Sequence, residues 1–188
     1  MIPRPYIAKW KEYAPWKQYA QVEQDLIISR ILIEIFSDSF LKENLAFRGG
    51  TALHKLYLNP AIRYSEDIDL GHINPAPLEP IINRLGEIIT LFDEDRRTDI
   101  RIHSTRLLYR FISEYEQIRL RLKIEINTRE HFHILPLEHF SLEINNPWYS
   151  GKADIHTYSI NELLATKLRA LYQRKKGRDL FDLYYANQ

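Results

Sequence analysis

Between Arg119 and Asn127 apolar and polar residues alternate without a break, Leu120, Leu122, Ile124 and Ile126 against Arg119, Arg121, Lys123, Glu125 and Asn127. Side chains alternate across a strand, so this spacing predicts a strand over 118–127 with one face in a core and the other charged. Weaker patterns predict strands at 99–103 and 106–114. Upstream the period changes. Val22, Leu26, Ile28, Ile31, Leu32, Ile35 and Phe36 recur at helical spacing and predict a helix over about 18–40. Residues 1–16 carry three prolines with Trp10, Tyr13 and Trp16, and read as a short helix or arm packed on the body. A strand-like Leu45-Ala46-Phe47 leads into Gly49-Gly50, a helix-like 51–58 and a second strand over 65–70. Pro75, Pro77 and Pro80 close that strand and open a helix at about 78–92. The stretch holding Pro136 and Pro147 reads as loop. Ser159-Ile160-Asn161-Glu162 has the form of a capping box and opens a helix over about 160–173, with Leu163, Leu164, Leu168 and Leu171 as its buried stripe. Gly177 interrupts before a last helix at about 178–186.

These elements predict an α+β fold, a small mixed β-sheet flanked by helices. The expected organisation is an N-terminal arm at 1–17, a core at 18–150, and a C-terminal helical part at 151–188 packed on that core. The 188 residues suit one domain, and 45% hydrophobic with 12% aromatic content can bury a core, which argues against disorder. A net charge of +1 argues against non-specific coating of nucleic acid, yet Arg and Lys crowd into 101–129 and 167–178, where phosphate or RNA could meet them. Cysteine is absent, which excludes disulfides, thiolate metal sites and thiol nucleophiles and fits a reducing cytoplasm. The N-terminus lacks a signal-peptide core and no apolar run approaches a membrane span, so the expectation is a soluble, cytoplasmic protein with no membrane partner.

The chemistry concentrates in two places. Asp67 and Asp69, two apart on one strand, point to the same face and repel, a pairing tolerated where a divalent cation neutralises it. Gly49 and Gly50 let backbone N–H groups approach a phosphate, and the following helix adds a favourable dipole. The order strand, Gly-Gly-Thr, helix, Asp-x-Asp strand is far more specific than either half, and it points to a metal-bound nucleoside triphosphate. Glu125 reads either as a third carboxylate from a neighbouring strand or as an outward residue pairing with Arg121 or Lys123. Lys167, sharing the stripe or its margin, reads either as snorkelling structure or as a cation reaching the triphosphate. Asp179 or Asp182 could orient Lys167 or Arg174, or simply belong to an exposed helix end. His131, His133 and His139 have a spacing that suggests zinc, but no companion pattern specifies it. No Gly-x-Ser-x-Gly elbow and no Walker-type phosphate loop occurs.

Taken together, Phe47-Arg48-Gly49-Gly50-Thr51-Ala52-Leu53 with Lys55, Ser65-Glu66-Asp67-Ile68-Asp69-Leu70, Lys123-Ile124-Glu125-Ile126-Asn127 and the block 162–183 resemble the AbiEii/AbiGii-type toxin nucleotidyltransferases of the DNA polymerase beta-like superfamily. The resemblance implies transfer of a nucleoside monophosphate from an NTP to an acceptor hydroxyl, in some relatives the tRNA 3′ end, with release of pyrophosphate. It implies Mg²⁺ or Mn²⁺ held by Asp67, Asp69 and Glu125, and catalytic roles for those three with Lys167 and Asp182. Arg48, Gly49, Gly50, Thr51, Ser65, Lys167, Arg174 and Arg178 are then the expected nucleotide-binding residues. A tRNA or other RNA acceptor and a cognate antitoxin are the implied partners. Thr51 stands where the superfamily often has serine, which keeps the hydroxyl. Many relatives continue into a larger helical domain, whereas this sequence runs six residues past Asp182, which leaves the acceptor open between RNA and a different or protein-borne acceptor of a compact form. The alternative is a catalytically silent module of the same fold that binds nucleotide, RNA or an antitoxin.

Overall fold

The computed structural model describes residues 2–58, 60–92 and 96–186. Met1 of the expected arm and residues 187–188 of the expected C-terminal part lie outside them. The chain runs α1 (Arg4–Trp10), α2 (Tyr19–Ser37), α3 (Ser39–Asn44), β1 (Leu45–Arg48), α4 (Gly49–Ala52) with a π-helical turn over Leu53–Tyr57, β2 (Asp67–His72) and α5 (Glu79–Ile88). It continues through β3 (Arg97–Ile100), β4 (Ser104–Ile112), β5 (Arg119–Asn127), β6 (Glu138–Asn146), β7 (Tyr149–Thr157), α6 (Ile160–Arg174) and α7 (Gly177–Ala186). The strands form one mixed sheet of seven in the order β3-β4-β5-β2-β1-β7-β6. No helix among the described residues is long and apolar enough to cross a membrane.

The alternation in β5 does what the pattern requires, with Leu122, Ile124 and Ile126 fully buried and Lys123 and Glu125 on the other face. The helix expected over 18–40 is two helices. Asp38 is extended and its carboxylate accepts from Leu41 N at 2.9 Å, so it ends α2 and caps α3. α2 is buried on nearly every side, packing on the sheet strands β5, β6 and β7 and on α1, α3 and α5. That position obliges its polar residues to find partners. Gln24 Nε2 donates to the Glu66 and Arg121 carbonyls, each at 3.1 Å. These are the residues just before Asp67 and just before Leu122, so one buried amide ties β2 to β5 at the level where their acidic faces begin. Asp25 accepts from Trp10 Nε1 and from Lys55 Nζ, both at 2.9 Å, which fastens α1 and the π-turn to α2. The expected arm therefore packs on the body.

Three expectations are corrected. The stretch around Pro136 and Pro147 is not loop, because β6 and β7 make an antiparallel hairpin from Glu138↔Thr157 to Asn146↔Tyr149. Both prolines lie outside the paired residues, one before β6 and one in the turn. β7 also pairs in parallel with β1 at Phe47↔Thr157, so the boundary at 150/151 falls inside a sheet strand and the helical part begins at Ile160. The expected stripe of α6 is also wrong in detail. Leu163 is buried, but Leu168 is 60% exposed and the inner position one turn after Leu163 is Lys167. The capping box is half made: Ser159 Oγ accepts from Glu162 N at 3.4 Å, while the Glu162 carboxylate accepts from Ile134 N at 2.7 Å.

Candidate active site

β1 leaves the sheet at Arg48, whose pairing partner in the antiparallel β2 is Asp69. The turn that follows therefore passes directly over the Asp69 side chain. Gly49 takes φ +79°, and a Cβ placed on it would stand 2.2 Å from Asp69 Oδ2. Both facts require glycine. Thr51 is buried behind the turn, where its hydroxyl donates to the Asp67 carbonyl and shares a 2.7 Å hydrogen bond with Ser65 Oγ. Its role is to clamp the turn to the start of β2. We expect Gly49→Ala to cost about 1–3 kcal/mol in backbone strain and to displace Asp69, and a displacement of order 1 Å carries about a 10²-fold loss of activity. Melting temperature and turnover check this, and parent-like values in both would remove the turn from the site.

The parallel pairing of β2 with β5 matches Asp67 with Lys123 and Asp69 with Glu125. Partners in register share a face, so the two strands present three carboxylates and one ammonium together. Lys123 Nζ stands 3.1 Å from Asp67 and 3.0 Å from Glu125. Glu125 also accepts from Ser104 Oγ at 3.0 Å and Arg106 Nη2 at 2.9 Å, both on β4. Of the two open readings of Glu125, the structure thus contains both geometries. It adjoins the aspartates and it pairs with Lys123, with Arg106 in place of Arg121.

The acids are not equivalent. Burial raises the Asp69 pKa, the charges of Asp67 and Glu125 add to the rise, and Lys123 and Arg48 only partly offset it. Burial would raise Glu125 too, but hydrogen bonds from Arg106, Lys123 and Ser104 outweigh it and hold its pKa below the ordinary value. Lys123 would be lowered by burial, yet the surrounding Asp67, Asp69 and Glu125 raise it. Carboxylate oxygens are the donors that hard cations prefer, so the set Asp67, Asp69 and Glu125 fits Mg²⁺ or Mn²⁺ better than softer ions, with Lys123 the group such an ion would displace.

The far wall comes from the C-terminal helices. Lys167 is buried on α6, and its Nζ reaches Asp182 at 2.9 Å and Asp179 at 3.5 Å on α7. The same ammonium lies 3.3 Å from the point where a Cβ on Gly50 would stand, so it borders the glycine turn. Asp182 is fully buried and also accepts from Arg63 Nε at 2.6 Å and Nη2 at 2.7 Å, with His54 Nε2 at 3.0 Å. Burial opposes its charge, but His54, Arg63 and Lys167 together hold its pKa far below the carboxylate range. Asp179 forms a two-bond pair with Arg174, both contacts at 2.8 Å.

Between these walls lies a polar cavity of about 260 Å³. Of the residues singled out in the sequence, Arg48, Gly49, Gly50, Asp69, Glu125, Lys167 and Arg174 line it, and Asn127, Thr166, Arg169 and Gln173 join them. Asp67 is not among the lining residues, and it is joined to the lining Glu125 by Lys123, which pairs with both. Thr51 and Ser65 lie behind the turn. Asp182 does not line the cavity, and with every oxygen engaged it positions Lys167 and Arg63 instead of touching a substrate. Arg178 is exposed and is not among the lining residues. Arg63, Lys123 and Arg106 were missed as site residues. Of the three histidines whose spacing suggests zinc, His131 bonds the His72 carbonyl and His133 the Leu135 carbonyl, while His139 meets Asp154 and His156 on the β6–β7 hairpin.

A family model described as "Nucleotidyl transferase AbiEii toxin, Type IV TA system" matches residues 30–188. No curated protein matches the sequence. Among solved structures, MenT4, a nucleotidyltransferase toxin from Mycobacterium tuberculosis H37Rv, superposes with a TM-score of 0.72 at 20% identity, over 100% of this chain and 65% of that one. JHP933 from Helicobacter pylori gives 0.62 at 20% identity, over 88% of this chain and 65% of that one. An antigenic nucleotidyltransferase-like protein from Paracoccidioides brasiliensis gives 0.55 at 19% identity, over 87% and 75%. At such identities the likeness shows the fold. The chain spans about 65% of the length of the MenT4 and JHP933 chains.

Proposed function

The chain belongs to the AbiEii family of nucleotidyltransferase toxins of type IV toxin–antitoxin systems, and from that premise we propose that it is a metal-dependent nucleotidyltransferase that moves a nucleoside monophosphate from an NTP to an acceptor hydroxyl. The observation that carries the reading is the in-register pairing of Asp67 and Asp69 with the strand bearing Glu125, under a glycine turn that only glycine can make. In the reaction the acceptor oxygen bonds to the α-phosphorus, the bond from phosphorus to the bridging oxygen breaks, and pyrophosphate leaves. Asp67, Asp69 and Glu125 would hold Mg²⁺ or Mn²⁺, which supplies charge neutralisation at the phosphoryl oxygens.

The chain's own groups do the positioning. Gly49 and Gly50 border the cavity, where their backbone N–H groups would meet phosphate, and Arg48, Lys167 and Arg174 present cations to the same cavity. Asp182 and Asp179 keep Lys167 and Arg174 extended toward it, so the cations are held in place before substrate arrives. This is stabilisation by fixed charge, with no covalent step through the protein. Arg48, Arg169 and Arg174 all line the cavity, and these cations support an RNA acceptor such as the tRNA 3′ end. A cytoplasmic site of action and a cognate antitoxin follow from the same reading. Incubation with each α-labelled NTP, Mg²⁺ and total cellular RNA is expected to place label in RNA. Nucleotide binding without transfer of label to any acceptor would favour the silent module instead.

A further inference from the structure

Beside the polar cavity lies a second one of about 380 Å³ with a different character. Its walls are mainly apolar and aromatic, from Phe132 and Ile134 in the connection between β5 and β6, Tyr158 after β7, and Leu163 and Ala165 on α6. Arg48, Thr166 and Arg169 line both cavities, so the two are neighbours across a shared wall. From this arrangement we infer that the apolar cavity takes the nucleobase of the nucleoside triphosphate whose phosphates occupy the polar one. The inference rests on the nucleotidyltransferase reading and adds where the base is held.

The pocket is built by specific bonds. The segment that carries Phe132 is clipped to α6 on both sides. Glu130 receives both guanidinium bonds of Arg169, at 2.6 and 3.1 Å, and Ile134 N donates to Glu162 at 2.7 Å. Phe132 and Ile134 are nevertheless 68% and 82% exposed, an arrangement that leaves large apolar side chains uncovered at the mouth of a cavity while their backbone is fixed. On the inner side the Arg48 guanidinium lies over the Tyr158 ring, 5.4 Å from its centroid, forming a second flat surface. Flat aromatic and guanidinium surfaces hold planar heterocycles by stacking, with little demand on base identity. The volume falls in the range of small-molecule sites, roughly 300–1,000 Å³. Charge division supports the assignment too. Lys167 and Arg174 line the polar cavity alone, whereas the charged residues that line only the apolar one are Glu130 and Glu162, which would repel phosphate.

A terminal base of an RNA acceptor has the same chemistry, so the test must separate the two sources. Titration calorimetry of the full chain with Mg²⁺ compares each NTP with inorganic tripolyphosphate, using Phe132→Ala to remove a wall and Ala165→Trp to fill the space. Both positions are at the surface and line the apolar cavity but not the polar one. NTPs are expected to bind the parent chain more tightly than tripolyphosphate, and both variants to weaken NTPs roughly tenfold, the worth of one base–aromatic contact, with tripolyphosphate unchanged. NTP binding unaffected by either variant overturns the inference, and if transfer to RNA falls in the same variants the RNA end occupies the pocket. Loss of tripolyphosphate binding by the parent, with NTP binding still sensitive to Phe132, overturns the polar cavity as a phosphate site and leaves the base pocket standing.

Discussion

Asp69→Asn is expected to reduce nucleotidyl transfer by at least about 10³-fold while the metal-free protein melts at the same temperature as the parent or higher. The two halves come from one cause. Asp69 is the carboxylate closest to the glycine turn and the one paired in register with Glu125, so its loss removes a central oxygen donor. It is also the carboxylate whose charge the fold tolerates least, because burial, Asp67 and Glu125 all raise its pKa. A carboxyl whose folded pKa is raised above its unfolded value costs stability at pH values above the folded pKa, and that cost disappears as pH falls below both. Asparagine carries no charge and nearly the same shape, so near pH 7 it relieves repulsion without a clash against Gly49. Melts in chelator and turnover with labelled NTP are the measurements. Parent-like transfer would remove Asp69 from the chemistry. A melting temperature several degrees lower would show that Lys123 and Arg48 more than compensate the repulsion.

That pairing was legible in the sequence because each half has its own period. Asp67 and Asp69 sit two apart among residues that alternate, and Glu125 sits in the longest strict alternation in the chain. Two half-buried strands with acids at the same phase need only lie side by side, in the right register, to bring the acids together. What alternation alone could not settle was whether they do, since the same pattern serves an exposed face paired internally. Lys123 shows why the choice was false: in the fold it pairs with both Asp67 and Glu125 on the face the two strands share.

The β6–β7 hairpin was not legible, and the reason is burial. β6 alternates only between half-buried and exposed positions until Ile144, so His139, Ser141 and Glu143 lie across from Phe140 and Leu142 without a strong apolar phase. An edge strand with one side in solvent has little need of one. In α6 only Leu163 of the expected stripe is buried. Leu168 reads as core by composition, but the inward face passes through Leu163 and Lys167, because α7 supplies Asp179 and Asp182 to receive an ammonium there. A helix face chosen by a charge pair cannot be found from hydrophobicity. Arg63 was invisible for the same reason, since its partner Asp182 lies 119 residues away and no local pattern surrounds it.

Asp182 gives the second large effect. Asp182→Ala is expected to cost about 3–5 kcal/mol, because it strands the Lys167 ammonium and the Arg63 guanidinium in a buried site without their common acceptor. For a domain of this size that corresponds to a fall in melting temperature of roughly 6–20 °C. The pH dependence follows from the direction of its shift. The folded pKa of Asp182 is depressed far below its unfolded value, so its contribution is fully present above the unfolded pKa, near about 4, and is lost as pH falls from there toward the folded value. The gap between parent and Asp182→Ala should therefore be constant from pH 8 to about 5 and close on further acidification. Lys167→Met separates structure from function. It leaves Asp182 with Arg63 and His54, so it should cost less stability than Asp182→Ala while weakening nucleotide binding at least as much. In the double variant the two stability losses should add to less than their sum by roughly 0.5–3 kcal/mol, the signature of groups in direct contact. Strict additivity, or a parent-like melt for Asp182→Ala, would mean that α7 is held by its apolar contacts and that Asp182 does not position Lys167.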